Sequence, residues 1–185
     1  MRGHQLGFDR YMGARDFFEL ARSSAREAER TREALAEMEA REGVRAQSYG
    51  SRGTQGGAGD PMSATDVRID YEARMRRRVE RDYAIIDAAC EVLFGLDGTC
   101  GGLSALMGSE VADCLWWRFC AAATWEEVAA GCGRSERWCR EAVDGSPEHR
   151  AEARRAGRQA QGAAFDLMDA YGLARVACGL GLAEG

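Results

Sequence analysis

The chain has 185 residues, 25 basic and 30 acidic side chains, and a formal net charge of −5. Every basic residue is arginine, which excludes a phosphate-loop lysine, a Schiff-base lysine and a lysine general base. No apolar run approaches the roughly 18–20 residues that span a bilayer. The N-terminal MRGHQLGFDRYMG lacks the apolar centre of a secretion signal, so the expectation is a cytoplasmic protein with no membrane partner.

In chain order, Phe17, Ala21, Ser24, Ala28, Thr31, Leu35 and Met38 alternate spacings of four and three, a heptad seam flanked by Arg and Glu. Its central residues are small enough for a partner helix to approach closely. The pattern predicts one helix from about Ala14 to Gly43. Val44 to Met62 is rich in Gly, Ser and polar residues and reads as a flexible connector. Its glycines match neither a dinucleotide fingerprint nor a phosphate loop. Ser63 or Thr65 with Asp66 starts a second helix to about Phe94, whose apolar stripe is Val67, Tyr71, Met75, Val79, Tyr83, Ile86, Cys90 and Leu93. Two helices of similar length predict an antiparallel hairpin. Arg74, Arg76, Arg77, Arg78 and Arg81 cluster midway along the second, read as a solvated face paired with glutamates of the first or as a phosphate-contacting surface.

Gly95 to Gly102 forms a hinge, Leu103 to Met107 a short helical turn, and Ser109 caps a helix carrying Val111, Leu115, Trp116, Arg118 and Phe119. The next stretch spells out a helix-turn-helix. Thr124 with Glu127 three residues on is a capping box, and Trp125, Val128 and Ala129 share a face of the helix it starts. Gly131-Cys132-Gly133 is expected to break that helix, because glycine enters left-handed conformations without steric cost. Ser135 caps a second short helix with Trp138, Cys139, Ala142 and Val143 as candidate inward positions. Such a pair places its second helix in the DNA major groove. The DGSP segment ends that helix, and Ser146-Pro147 starts a last one expected to run to about Tyr171.

The stretch LWWRFCAAATWEEVAAGCGRSERWCREAV, Leu115 to Val143, resembles the fourth region of bacterial sigma factors. It looks closer still to the small phage and prophage regulators of late-gene and autolysin transcription related to that region. Arg118-Phe119, Thr124-Trp125-Glu126-Glu127-Val128-Ala129 and Ser135-Glu136-Arg137 hold the places of the family's Arg-Tyr pair, its Thr-Trp-Glu-Glu-Ile-Ala run and its Ser-x-Arg. The resemblance implies that Ser135, Glu136, Arg137, Arg140 and Glu141 lie where the recognition helix meets bases and phosphates. Arg137 and Arg140 are the foremost, since arginine grips guanine O6 and N7 or a phosphate bidentately. Arg118 and Arg134 are phosphate-positioning candidates, and Trp138 stands where the family usually has a polar residue.

The expectation is therefore all-α: a long helical hairpin (1–94) joined to a sigma-like helix-turn-helix domain (103–145), with an extra C-terminal helix and tail (146–185). The implied function is sequence-specific duplex DNA binding as a phage-type transcription regulator. RNA polymerase is an implied partner, and the heptad helices predict a homodimer or higher homo-oligomer. Two alternatives stand: a phage DNA-packaging recognition subunit, and a protein-interaction module with a degenerate helix-turn-helix. The seven cysteines include no CxxC spacing and read as reduced core thiols rather than metal ligands. His4 and His149 are isolated, and no catalytic constellation or cofactor motif is found. An enzyme is not expected.

Overall fold

The computed structural model describes residues 12–48, 61–96 and 101–179. It is all-α, without strands among those residues. Helix α1 spans Ala14–Ser48 and α2 spans Pro61–Phe94, each about 50 Å long at 1.5 Å per residue. Both reach further into the expected connector than its composition suggests; its centre, 49–60, lies outside the described residues. Arg32 meets Tyr83, and Glu39 meets Arg76, so rising numbers on α1 face falling numbers on α2: the pair is antiparallel.

The heptad seam is buried at Phe17, Ala21, Ser24, Ala28 and Thr31, and half-buried at Leu35 and Met38. It is covered by α2 of the same chain. Within this chain α2 therefore occupies the seam that the heptad pattern offered to a partner helix. The α2 stripe is also redrawn. The buried residues are Ala88, Ala89, Val92 and Leu93, whereas Val67, Tyr71 and Tyr83 are exposed. The basic cluster is partly neutralised as the charge pattern suggested, through Arg78–Glu27 at 2.8 Å and Arg76–Glu39 at 3.4 Å. Both lie at the surface, with only Glu27 half-buried, and such pairs contribute little to stability.

Beyond the hairpin follow α3 (Gly102–Met107), α4 (Ser109–Leu115), a widened π turn (Trp116–Cys120), α5 (Trp125–Cys132), α6 (Glu136–Asp144), α7 (Pro147–Arg155), α8 (Ala163–Tyr171) and α9 (Leu173–Ala177). The single C-terminal helix expected from Pro147 to Tyr171 is instead two. Gly157 enters the left-handed region at φ 66°, and its N–H and that of Arg158 bond back to Arg154 and Ala153. This closes α7 just after its basic last turn.

One apolar core joins the ends of α1 and α2 to α3 through α6, the π turn, α8 and α9, with no residue from α7. At its centre Phe18 of α1, Phe119 of the π turn and Phe165 of α8 are fully buried and meet edge to face, with centroids 5.7–5.8 Å apart. Edge-to-face contact suits the quadrupoles of aromatic rings. The α8 segment is thus part of the central packing rather than an appendage. No helix of the described residues is long and apolar enough to cross a membrane.

Candidate functional site

Helix α5 begins as its sequence dictates. The Glu127 N–H donates to the Thr124 hydroxyl at 3.4 Å, and the Thr124 N–H donates to the Glu127 carboxylate at 2.7 Å. These two bonds satisfy groups that a helix start otherwise leaves open. The Thr124 N–H and hydroxyl hold the Glu127 carboxyl below the usual carboxylate range. A depressed folded pKa contributes stability above the unfolded value, roughly 4.3, and loses it as pH falls through the folded value. Thr124→Ala is expected to cost about 1 kcal/mol at neutral pH and to flatten the acid limb of the stability curve, as read by urea unfolding from pH 3 to 7.

The turn between α5 and α6 differs from the sequence reading in one respect. Gly131 does not break the helix; α5 continues through Cys132. The break is at Gly133, left-handed at φ 61°, where the Gly133 and Arg134 N–H groups bond back to Ala130 and Ala129. Gly131 serves packing instead. A Cβ there would lie 2.4 Å from the Trp117 ring, so only glycine lets α5 settle on that indole. Ser135 then caps α6 by accepting from the Trp138 N–H at 3.3 Å.

Helix α6 buries Cys139 and Val143 and turns the other face to solvent. Its arginines are ordered by neighbours. Arg140 bonds Glu136 at 2.8 Å and lies over the Trp125 ring at 5.1 Å. Arg137 bonds Glu141 at 2.9 Å, with its side chain 81% exposed. Arg134 pairs with Glu110 of α4 and lies over Trp138 at 5.5 Å. Trp138 is half-buried against the core.

Arg118 takes a different place. It donates to the Ala123 carbonyl at 2.9 Å and stacks on Trp125 at 4.2 Å. Burial first, and then Arg22, bring its pKa down to about 10, so it stays charged at neutral pH. It braces the loop after the π turn, where Ala122 is held at φ 53°, a conformation costly for a residue with a Cβ.

Two groups that sequence reasoning missed orient the site. Arg15 of α1 donates to the Val143 carbonyl at 3.1 Å and to Asp144 at 2.9 Å, placing a cation at the C-terminal end of α6, where the helix dipole favours one. Its guanidinium carbon lies over the Phe119 and Phe165 rings at 5.3 and 5.0 Å. Trp125 is half-buried and carries both Arg118 and Arg140 on its ring. Neither role leaves a local sequence signal, because each depends on residues distant in the chain.

Cys114 and Cys139 are buried and Cys132 half-buried beneath this surface. Burial, and then the neighbouring Cys139, push the Cys132 thiol up to about 11 and that of Cys114 further. What the geometry defines is an all-α protein displaying a short, capped, arginine-bearing helix packed on α4, α5 and α8 and held at its end by Arg15 of α1. No known protein family, curated protein or solved structure matches the chain.

Proposed function

We propose that the chain binds duplex DNA through α6 and acts as a sequence-specific transcription regulator of the phage type that Leu115 to Val143 resembles. The observation that carries this is the exposed face of α6. It presents Arg137 and Arg140, with Arg134 at its start, on a helix whose diameter with side chains, about 10–12 Å, fits the major groove of about 12 Å width. The carboxylate partners of Arg137 and Arg140, half-buried Glu141 and exposed Glu136, lie within one turn, and such surface pairs exchange readily for phosphate or base. Ser135 is engaged as a cap, and Arg118 supports the loop, so Arg134, Arg137 and Arg140 are the contact residues proposed here, with Trp138 against the sugar edge. Recruitment of RNA polymerase through the acidic remainder completes the proposal. Self-association is proposed through the exposed apolar residues Val67, Ile69 and Tyr71 of α2, not the buried seam.

The test is a salt titration of binding to genomic fragments, with sequencing of what is retained. Wild type is expected to bind with strong salt dependence and to enrich one sequence. Arg137→Ala with Arg140→Ala is expected to lose about 10- to 100-fold, and to reduce the log–log salt slope by about 0.9 for each phosphate contact removed. Glu136→Gln with Glu141→Gln is expected to act oppositely, tightening non-specific binding by freeing both arginines and removing two charges that repel phosphate. No salt-sensitive binding by the wild type at about 50 mM salt refutes the proposal.

One observation favours a second reading. Each arginine on this face is matched by a glutamate, giving a nearly balanced surface suited to a protein partner. In that case the two glutamine substitutions leave DNA retention at background.

A further inference from the structure

Three cysteines far apart in the sequence meet behind α6. Cys114 comes from α4, Cys132 from the last turn of α5 and Cys139 from the middle of α6, and their three Sγ atoms all lie within 4.8 Å of one another. The geometry points to a binding site for a single thiophilic metal ion, of the zinc or cadmium class, held by Cys114, Cys132 and Cys139 and tying α6 to α4 and α5. Metal–sulfur bonds of about 2.3 Å at tetrahedral angles need sulfurs about 3.8 Å apart, so modest side-chain rotation completes the set. Three sulfurs without imidazole or carboxylate select soft ions over magnesium or calcium. Cys114 and Cys139 are fully buried, while Cys132 is half-buried, which leaves an entry path and a place for water as a fourth ligand. The Cys114 Sγ also lies 3.6 Å from the Cys139 carbonyl oxygen, so the α4–α6 edge of the trio is closely packed.

The absence of CxxC spacing argued against such a site. Paired short spacings signal ligands from one loop, however, whereas these come from three helices. The inference does not depend on DNA binding, and its test does not use DNA.

The experiment uses the full chain, stripped of metal and kept reduced with a phosphine. It is titrated with Co2+ while thiolate-to-cobalt charge transfer is followed, then with Zn2+ in competition, and thermal unfolding is recorded with and without Zn2+. One equivalent should bind, with the charge-transfer band of thiolate ligation and a raised melting temperature. Cys132→Ser is expected to weaken binding by at least about a hundredfold and to abolish the thermal shift. Cys178→Ser and Cys90→Ser, outside the trio, should leave both unchanged. Because a serine in this region can itself disturb folding, alkylation of the wild type provides an independent reading. Mapped by mass, Zn2+ should protect Cys132 while the exposed Cys178 still reacts. Absence of a charge-transfer band and of a thermal shift up to millimolar metal overturns the proposal. So does a band that Cys132→Ser retains, or alkylation of Cys132 that metal leaves unaltered.

Discussion

Phe18→Ala is expected to cost about 3–5 kcal/mol, the range for truncating a fully buried phenylalanine. Phe18 is at zero exposure and meets both other rings of the central trio, so its removal opens a cavity shared by α1, the π turn and α8. None of these can close it alone. Phe119 and Phe165 remain in mutual contact at 5.7 Å, and the start of α1 is held by Asp169, which accepts from the Ala14 N–H at 2.7 Å, and by Arg15, which bonds the end of α6. The backbone is therefore fixed around the void, which is the condition for the upper part of the range. Against a typical domain stability of 5–15 kcal/mol the loss is large enough to unfold a sizeable fraction at 37 °C. Urea unfolding of Phe18→Ala, Phe165→Ala and the double variant measures it. The two losses should be non-additive, since the residues are in contact. A loss under 1 kcal/mol for Phe18→Ala would mean that the trio is not the packing centre.

Gly162→Ala is expected to be nearly as severe for a different reason. Its backbone is ordinary, at φ −85°, so conformational strain is not involved. A Cβ there would lie 2.2 Å from the Ala142 carbonyl oxygen, and the Gly162 N–H donates to the Val143 carbonyl at 2.9 Å. Backbone meets backbone, and no flexible side chain can give way. The added methyl must push the start of α8 from the end of α6, breaking that hydrogen bond. Overpacking usually costs about 1–3 kcal/mol, and rigid contact on both sides places this one at the top of that range. Gly13→Ala is the matched control: its Cβ would meet only carboxylate oxygens at 3.8 Å, and the change should stay within about 0.5 kcal/mol. Thermal unfolding of the two variants separates the cases. Because Gly162 abuts the turn that ends α6, its substitution should also shift the amide NMR signals of Ala142 to Asp144 more than those of Glu136.

Local signals were legible wherever one turn of chain contains both the cause and the effect. Thr124 with Glu127 marks the start of α5, Ser135 the start of α6, and Ser146-Pro147 the start of α7, because a cap bonds within three residues of itself. The heptad spacing of α1 likewise marked the buried residues from Phe17 to Thr31 except Phe18, whose burial depends on Phe119 and Phe165. The same signals misled where a neighbour decided the outcome. On α2 the alternation through Tyr71 and Tyr83 suggested burial, but the face that α1 and the core cover runs through Ala88, Ala89 and Val92. Gly131 looked like a helix breaker, yet Trp117 requires it as a helical glycine. The break at Gly157 follows a basic last turn, Arg154 and Arg155, the usual composition of a helix C-terminus.

The sequence by itself determined the all-α class, the two long helices, the capped pair α5 and α6, and which residues α6 turns outward. Periodicity and capping are properties of a few consecutive residues. Tertiary structure alone decided that the heptad seam closes against the same chain and that Arg118 braces a loop. It also decided that Arg15 holds the end of α6 and that Cys114, Cys132 and Cys139 converge. Each of these depends on atoms brought together from separate helices around the Phe18, Phe119 and Phe165 rings, and that convergence is set by packing rather than by spacing along the chain.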